Sequence, residues 1–306
     1  EPAAEEPAAE EPAAEEPAAE EPAAEEPAAP AAVAATFSVE RLRAAIVGDE
    51  STLNPYTYIT GFPGWNILTM QYDTLFTLDL TGTPQPWLVA DWDLSEDGTV
   101  YTLTLRDDVY WNDGEPFTAE DVKFTFEYYT ANKHGRWTRG IGGFSTAEVV
   151  GDHQVVITLE EANPPYVQLA FGDVPIIPKH IWEGIENPAE HVFDSVTNVG
   201  TGPYVLMEYE PDQFYRFEAN TNYFAGTPTV GELVLVNFAD TSGSLAAFRT
   251  GEVDMLFEPV PPEQIEILGG VDGVNIAQGP EFTTTLVMFD NEQAPFDNQQ
   301  VRQALS

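Results

Sequence analysis

Cysteine is absent from all 306 residues. That excludes disulfide frameworks, thiolate metal sites and cysteine nucleophiles. Cationic side chains are almost as scarce: 11 Lys and Arg stand against 52 Asp and Glu, for a net charge of −41. Phosphate backbones and anionic lipid surfaces are bound through basic patches, so neither nucleic acid nor a membrane surface is expected as a direct partner. The four histidines (His134, His153, His180 and His191) show no i, i+4 spacing, and no metal site is expected. No run approaches the roughly 18 apolar residues of a membrane span. A Gly-x-Ser-x-Gly elbow is missing, and acids are too abundant to single out a catalytic pair. We therefore expect no catalytic residue, no cofactor and no enzymatic activity.

Two weak motifs dissolve on inspection. Gly200-Thr201-Gly202 lacks the Gly-Lys-Ser/Thr of a phosphate loop and runs straight into Pro203, so it reads as a tight structural turn. Asp91, Asp93, Ser95 and Asp97 alternate like a calcium loop. Glu96, however, stands where that loop needs glycine, and Thr102 where it needs glutamate.

What is present begins with a repeat. Residues 1–30 run through Glu-Pro-Ala-Ala-Glu with a period of five and hold 11 Glu, leaving a charge of −30 on the remainder. A proline every five residues removes a helical donor and clashes one turn back. Residues 1–35 are therefore expected to be a disordered, extended tether, in which the repeat of residues 1–30 spans about 90 Å at roughly 3.1 Å per residue. A passive low-complexity tail is the alternative. The pattern is already under way at Glu1, which suggests a removed upstream segment carrying a lipoprotein-type membrane anchor. The acidity of the body fits either solubility in a salty habitat or attraction of cationic solutes.

The chain is 43% hydrophobic and 12% aromatic. That composition fits a packed globular body after the repeat. Residues 37–47 read as a strand that ends at the Asn54-Pro55 turn. Ile67, Leu68, Tyr72, Leu75 and Phe76 fall on one face of a helix over 65–78. Pro84 and Pro86 mark an irregular link. Val100 to Leu105 alternates as a strand between the turn dipeptides Asp97-Gly98 and Asp113-Gly114. Thr118 and Asp121 form a capping box ahead of a helix. Two short strands flank Gly151-Asp152, and a short helix follows Pro178. Strands are expected at 203–209, 213–219 and 231–238, then a helix over 242–250 with Gly251 as its C-cap. A short strand at 253–257, a helix opened by Pro261-Pro262, a strand at 282–290 and an amphipathic helix at 301–306 complete the chain. That last helix has no terminating signal, so the chain is expected to be truncated.

Several segments together resemble the oligopeptide/dipeptide-binding family of ABC solute receptors (extracytoplasmic solute-binding proteins, family 5). They are Tyr72-Asp73-Thr74-Leu75-Phe76, Trp92 to Gly98 with Tyr101 to Val109, and Trp111 to Val122. Farther on come Gly200 to Tyr204, Ala219 to Phe224 with Gly226, Gly251 to Asp254, and Ala294 to Asp297 with Val301 to Leu305. The resemblance covers residues 50–306. It implies an α/β, two-lobed periplasmic-binding-protein-like (type II) fold with a β-rich extra subdomain and a truncated C-terminal lobe. Residues 36–280 would be the first lobe, with the subdomain inserted at about 82–200. Residues 281–306 would start the second.

The resemblance further implies an extracytoplasmic receptor, monomeric, that captures peptides or similar small solutes and delivers them to ABC permease subunits. It would touch the membrane only through an upstream anchor. An oligosaccharide receptor of the same family is the alternative, and an extracellular hydrolase or a structural surface protein would be different classes altogether. Ligand contacts are expected from the aromatic, glycine-containing loop Tyr56, Thr57, Tyr58, Ile59, Thr60, Gly61, Phe62 and Trp65, facing Phe282, Thr283 and Thr284. Tyr58, Phe62 and Trp65 could equally be core residues.

Overall fold

A computed structural model describes residues 37–58, 63–133, 137–195, 197–277 and 292–305. The elements, in order, are β1 (Val39–Val47), α1 (Gly64–Gln71), β2 (Phe76–Leu78), β3 (Pro84–Pro86), β4 (Val89–Leu94), β5 (Val100–Leu105), α2 (Ala119–Ala131) and α3 (Trp137–Gly140). Next come β6 (Phe144–Gly151), β7 (Gln154–Leu159), a π-helical turn (Val167–Phe171), α4 (Lys179–Trp182), β8 (Tyr204–Glu210) and β9 (Phe214–Ala219). The last are β10 (Val230–Phe238), α5 (Thr241–Thr250), β11 (Met255–Leu256), α6 (Pro262–Gly269) and α7 (Gln299–Leu305).

Two larger sheets, beside a two-stranded β2–β3 ribbon, organise these elements. The first runs β11-β1-β10-β9-β8 and joins β1, near the start of the described chain, to strands that lie far along it. Its β1 pairs in parallel with β10 on one side and β11 on the other, while β9 and β8 continue antiparallel. The second, β4-β5-β7-β6, is wholly antiparallel and closed within residues 89–159. Its alternation is the one expected from sequence: Tyr101, Leu103 and Leu105 on β5 and Val155, Ile157 and Leu159 on β7 are all buried. They join Val122, Phe126 and Tyr129 of α2 in one continuous core that also reaches β1 through Ala44 and Ile46. Ala45 points to the opposite face of β1. There it packs with Ala247 and Val253 beneath α5.

The local signals explain most boundaries. Gly98 and Gly114 carry φ of +72° and +100°. These are the left-handed values their turns require. Asp121 accepts the Thr118 backbone N–H at 2.9 Å, completing the expected cap. Gly251 ends α5 at φ +75°, the left-handed stop that glycine favours.

Three expectations differ from the structure. The helix anticipated over 65–78 stops at Gln71, and residues 76–78 form a strand instead. The cause lies in the Gly200–Gly202 turn, whose Gly202 N–H donates to Gln71 O at 2.8 Å and so takes a carbonyl at the helix end. A Cβ on Gly200 would sit 1.9 Å from that same oxygen. Only glycine allows so close an approach. The link at 84–86 is a short strand paired with β2, tolerated because proline can occupy an edge. The strand anticipated at 253–257 is confined to two residues, Met255 and Leu256, beside β1. The 282–290 strand expectation, the 1–35 tether and residues Ile59 to Phe62 lie outside the described residues.

Candidate functional site

In open α/β sheets, ligands settle beyond the carboxyl ends of the strands, at the point where connections leave in opposite directions. Here that point is β1. From its end the chain departs toward α1 on the large-core face, whereas β10 crosses through α5, on the other face, to reach β11. The mouth is thus framed by the segment after Val47, the turn after Phe238 and the segment after Leu256.

The first of these segments is tightly held. Gly48 turns the chain at φ +97°, and Asp49 becomes a hub. Its Oδ1 accepts the Ser51 N–H at 2.9 Å and hydroxyl bonds from Tyr215 and, at 3.0 Å, from Tyr209. Its Oδ2 accepts the Asp212 N–H at 2.5 Å and also lies 3.0 Å from the Tyr209 hydroxyl. Burial alone would raise the Asp49 carboxyl, but the hydrogen bonds from Tyr215, Asp212, Ser51 and Tyr209 outweigh it and hold the group below the usual carboxylate range. Burial, reinforced by the hydrogen bonds and charge of Asp49, pushes the phenols of Tyr209 and Tyr215 up, so both donate as neutral groups.

Asn54 anchors the next turn. Its amide donates to Pro188 O at 2.6 Å and His191 O at 3.0 Å, while its Oδ1 accepts the Tyr56 N–H at 3.0 Å.

The residues expected at the site are distributed unevenly. Tyr56 is buried, stacks on Tyr129 with centroids 6.0 Å apart, and donates its hydroxyl to Asn132 O at 2.5 Å. Tyr58 is buried too, and burial pushes its phenol up. Thr57 is half-buried, its hydroxyl donating to Asn54 O at 3.1 Å. Trp65 is half-buried, 6.4 Å from the Trp137 ring. Ile59, Thr60, Gly61 and Phe62, together with Phe282, Thr283 and Thr284, lie outside the described residues.

Sequence reasoning missed Asp49, Tyr209 and Tyr215. No local pattern links a carboxylate to a hairpin so distant in the chain. On the other rim, Asp240 caps α5 by accepting the Gly243 N–H at 2.9 Å, and Ser244 hydrogen-bonds Glu258. Among the described residues no group of three or more His, Asp or Glu could hold a metal ion. No described helix is long and apolar enough to cross a membrane. An open groove of about 660 Å³ lies at the opposite, amino ends of β1 and β10, lined by Phe37, Glu40, Arg41, Glu218 and Glu232. It is remote from the mouth, and its Arg41 is paired to Glu232.

Comparison with known proteins identifies this arrangement. The family described as bacterial extracellular solute-binding proteins, family 5 Middle, matches residues 83–306. A Brucella ovis protein named as a putative ABC transporter peptide-binding protein is 30% identical over 220 residues, covering 71% of this chain and 41% of its own length. The nickel-binding periplasmic protein of Escherichia coli is 27% identical over 266 residues, covering 83% of this chain and 48% of its own. Among solved structures, the dipeptide binding protein from Pseudoalteromonas sp. SM9913 in complex with Met-Leu superposes with a TM-score of 0.72 at 28% identity. That match covers 87% of this chain and 56% of the other. The chain spans about half the length of the curated relatives it matches. Its α/β fold is that of the two-lobed periplasmic binding proteins. The chain belongs to the bacterial extracellular solute-binding proteins of family 5.

Proposed function

We propose that this chain is the ligand-framing half of an extracytoplasmic receptor that captures peptides or similar small solutes and delivers them to an ABC permease. The observation that carries it is the position of β1 between parallel β10 and β11, its carboxyl end opening onto the 48–58 segment, in a chain of this family. The relative solved with Met-Leu supports a peptide as the guest. In this proposal residues 36–280 are the first lobe, with a β-rich subdomain at about 82–200, and 281–306 begin the second. The closed sheet within 89–159 supports that division. Tyr56 and Tyr58 anchor the mouth from the core. Contacts to the guest fall to Thr57, Trp65 and Ile59 to Phe62, opposite Phe282, Thr283 and Thr284.

The receptor works by closing over its guest and performs no chemistry on it, binding free energy selecting the closed state. Residues 1–35 tether a monomeric receptor to a membrane anchor, a role supported by their proline period and charge. The test is titration of a version spanning the full length of its relatives with a library of short peptides, read by tryptophan fluorescence and calorimetry. Saturable micromolar or tighter binding without peptide turnover is expected. Response to oligosaccharides alone would move the assignment to another solute class, and peptide turnover would overturn it.

A further inference from the structure

The geometry points to Asp49 as a positioning residue: its carboxylate locks the mouth segment onto the tip of the β8–β9 hairpin and thereby presets the shape of the ligand cleft. The inference rests on the receptor role proposed above. Tyr209 and Tyr215 are cross-strand partners whose rings stack with centroids 4.6 Å apart. Pairing across the strands brings their two hydroxyls to one carboxylate. The Tyr215 oxygen also accepts the Glu50 N–H at 3.3 Å, so the ring clamps two consecutive mouth residues. Among the described residues, two that are not glycine adopt left-handed backbone conformations, Ser51 at φ +57° and Asp212 at φ +59°. Both direct their N–H groups at Asp49. Backbone strain of this kind persists only where the surroundings over-determine it, and here the two strained residues converge on one side chain.

The lock demands a carboxylate rather than merely a polar group. Each of these partners of Asp49 is a donor, and a backbone N–H faces each oxygen: Ser51 on Oδ1 and Asp212 on Oδ2. An amide carries one acceptor oxygen and one NH₂ group, so in either orientation Asp49→Asn sets a donor against a backbone donor. Protonated or amidated, the hub opens. The segment it releases leads directly into Tyr56–Tyr58 and the mouth.

The test uses hydrogen exchange of the 306-residue chain and of Asp49→Asn, Tyr209→Phe and Tyr215→Phe. We expect amides of 48–58 and 210–213 to exchange at least tenfold faster in Asp49→Asn, and less so in each Phe variant, while 100–105 and 154–159 keep wild-type rates. The near-ultraviolet difference spectrum of Asp49→Asn should show a tyrosine blue shift that disappears in the Tyr209→Phe/Tyr215→Phe background. Unchanged exchange at 48–58, or a uniform rise that includes β5 and β7, overturns the lock. In the full-length receptor, with Met-Leu as probe, Asp49→Asn should weaken affinity at least tenfold. Full affinity despite faster exchange would overturn the presetting of the cleft and confine Asp49 to local stability. Absence of Met-Leu binding by the wild type counts against the peptide assignment, while the exchange result still judges Asp49.

Discussion

Asp73 offers a contrast to Asp49 that turns hydrogen-bond chemistry into a measurable difference. It is a buried carboxylate held by neutral donors. Its Oδ1 accepts from Trp87 Nε1 at 2.7 Å and from the Tyr223 hydroxyl at 3.0 Å, and its Oδ2 accepts from the Thr201 hydroxyl at 3.0 Å. Burial raises its carboxyl above the ordinary value, against the lowering effect of those three bonds. At Asp49 a backbone N–H, which can only donate, faces each oxygen; here Oδ2 faces only the Thr201 hydroxyl, which accepts as readily as it donates. In Asp73→Asn, Oδ1 keeps Trp87 and Tyr223 while the amide donates to Thr201. All three contacts survive and a buried charge is removed, so we expect a change within about 1 kcal/mol.

Asp73→Ala instead strands three donors and leaves a small void. Thr201 is fully buried and Trp87 partly so. The loss should be about 3 kcal/mol, or about 6–12 °C in Tm for a domain of this size. The pH dependence follows from the raised value. A carboxyl that binds its proton more tightly folded than unfolded contributes stability below its unfolded value, and loses it as pH rises through the folded one. Wild type should therefore gain on Asp73→Asn as pH falls from neutral into the acid range where carboxyls take up protons. Urea titrations of the three proteins at several pH values measure this. An Asn variant as damaged as the Ala variant, or a gap that moves the other way with pH, would refute the reasoning.

Other outcomes can be checked with the same assays. The Cβ of Gly200→Ala would overlap Gln71 O, a backbone atom that cannot swing aside. That variant should lose more than about 3 kcal/mol or fail to fold. The fully buried ring of Phe126 contacts Phe144 and Phe171. Phe126→Ala should cost about 3–5 kcal/mol in urea unfolding. The net charge is −41, and Arg41, Arg43, Arg106, Lys179 and Arg216 are already engaged in ion pairs. Tm should therefore rise between low and molar NaCl as self-repulsion is screened.

What the sequence alone could determine was whatever depends on neighbours in the chain. The alternation of Val100 to Leu105, the left-handed glycines at 98 and 114, the Thr118–Asp121 cap and the α5 stop at Gly251 each arise from a few consecutive residues, and each is found in the structure. Family membership was equally legible, because it rests on several such segments in order. Tertiary structure decided the rest. The periodicity that predicts a helix to 78 says nothing of the distant glycine turn at Gly200–Gly202 that ends it at Gln71. The burial of Tyr56 depends on Tyr129, which stacks on it from far along the chain, not on its own loop. The mouth itself exists only because β1 pairs with strands that begin as far along the chain as Val230 and Met255. Periodicity and capping act over one or two turns of chain. A carboxylate that gathers donors from a distant hairpin leaves no trace in the residues beside it, because those donors become its neighbours only on folding.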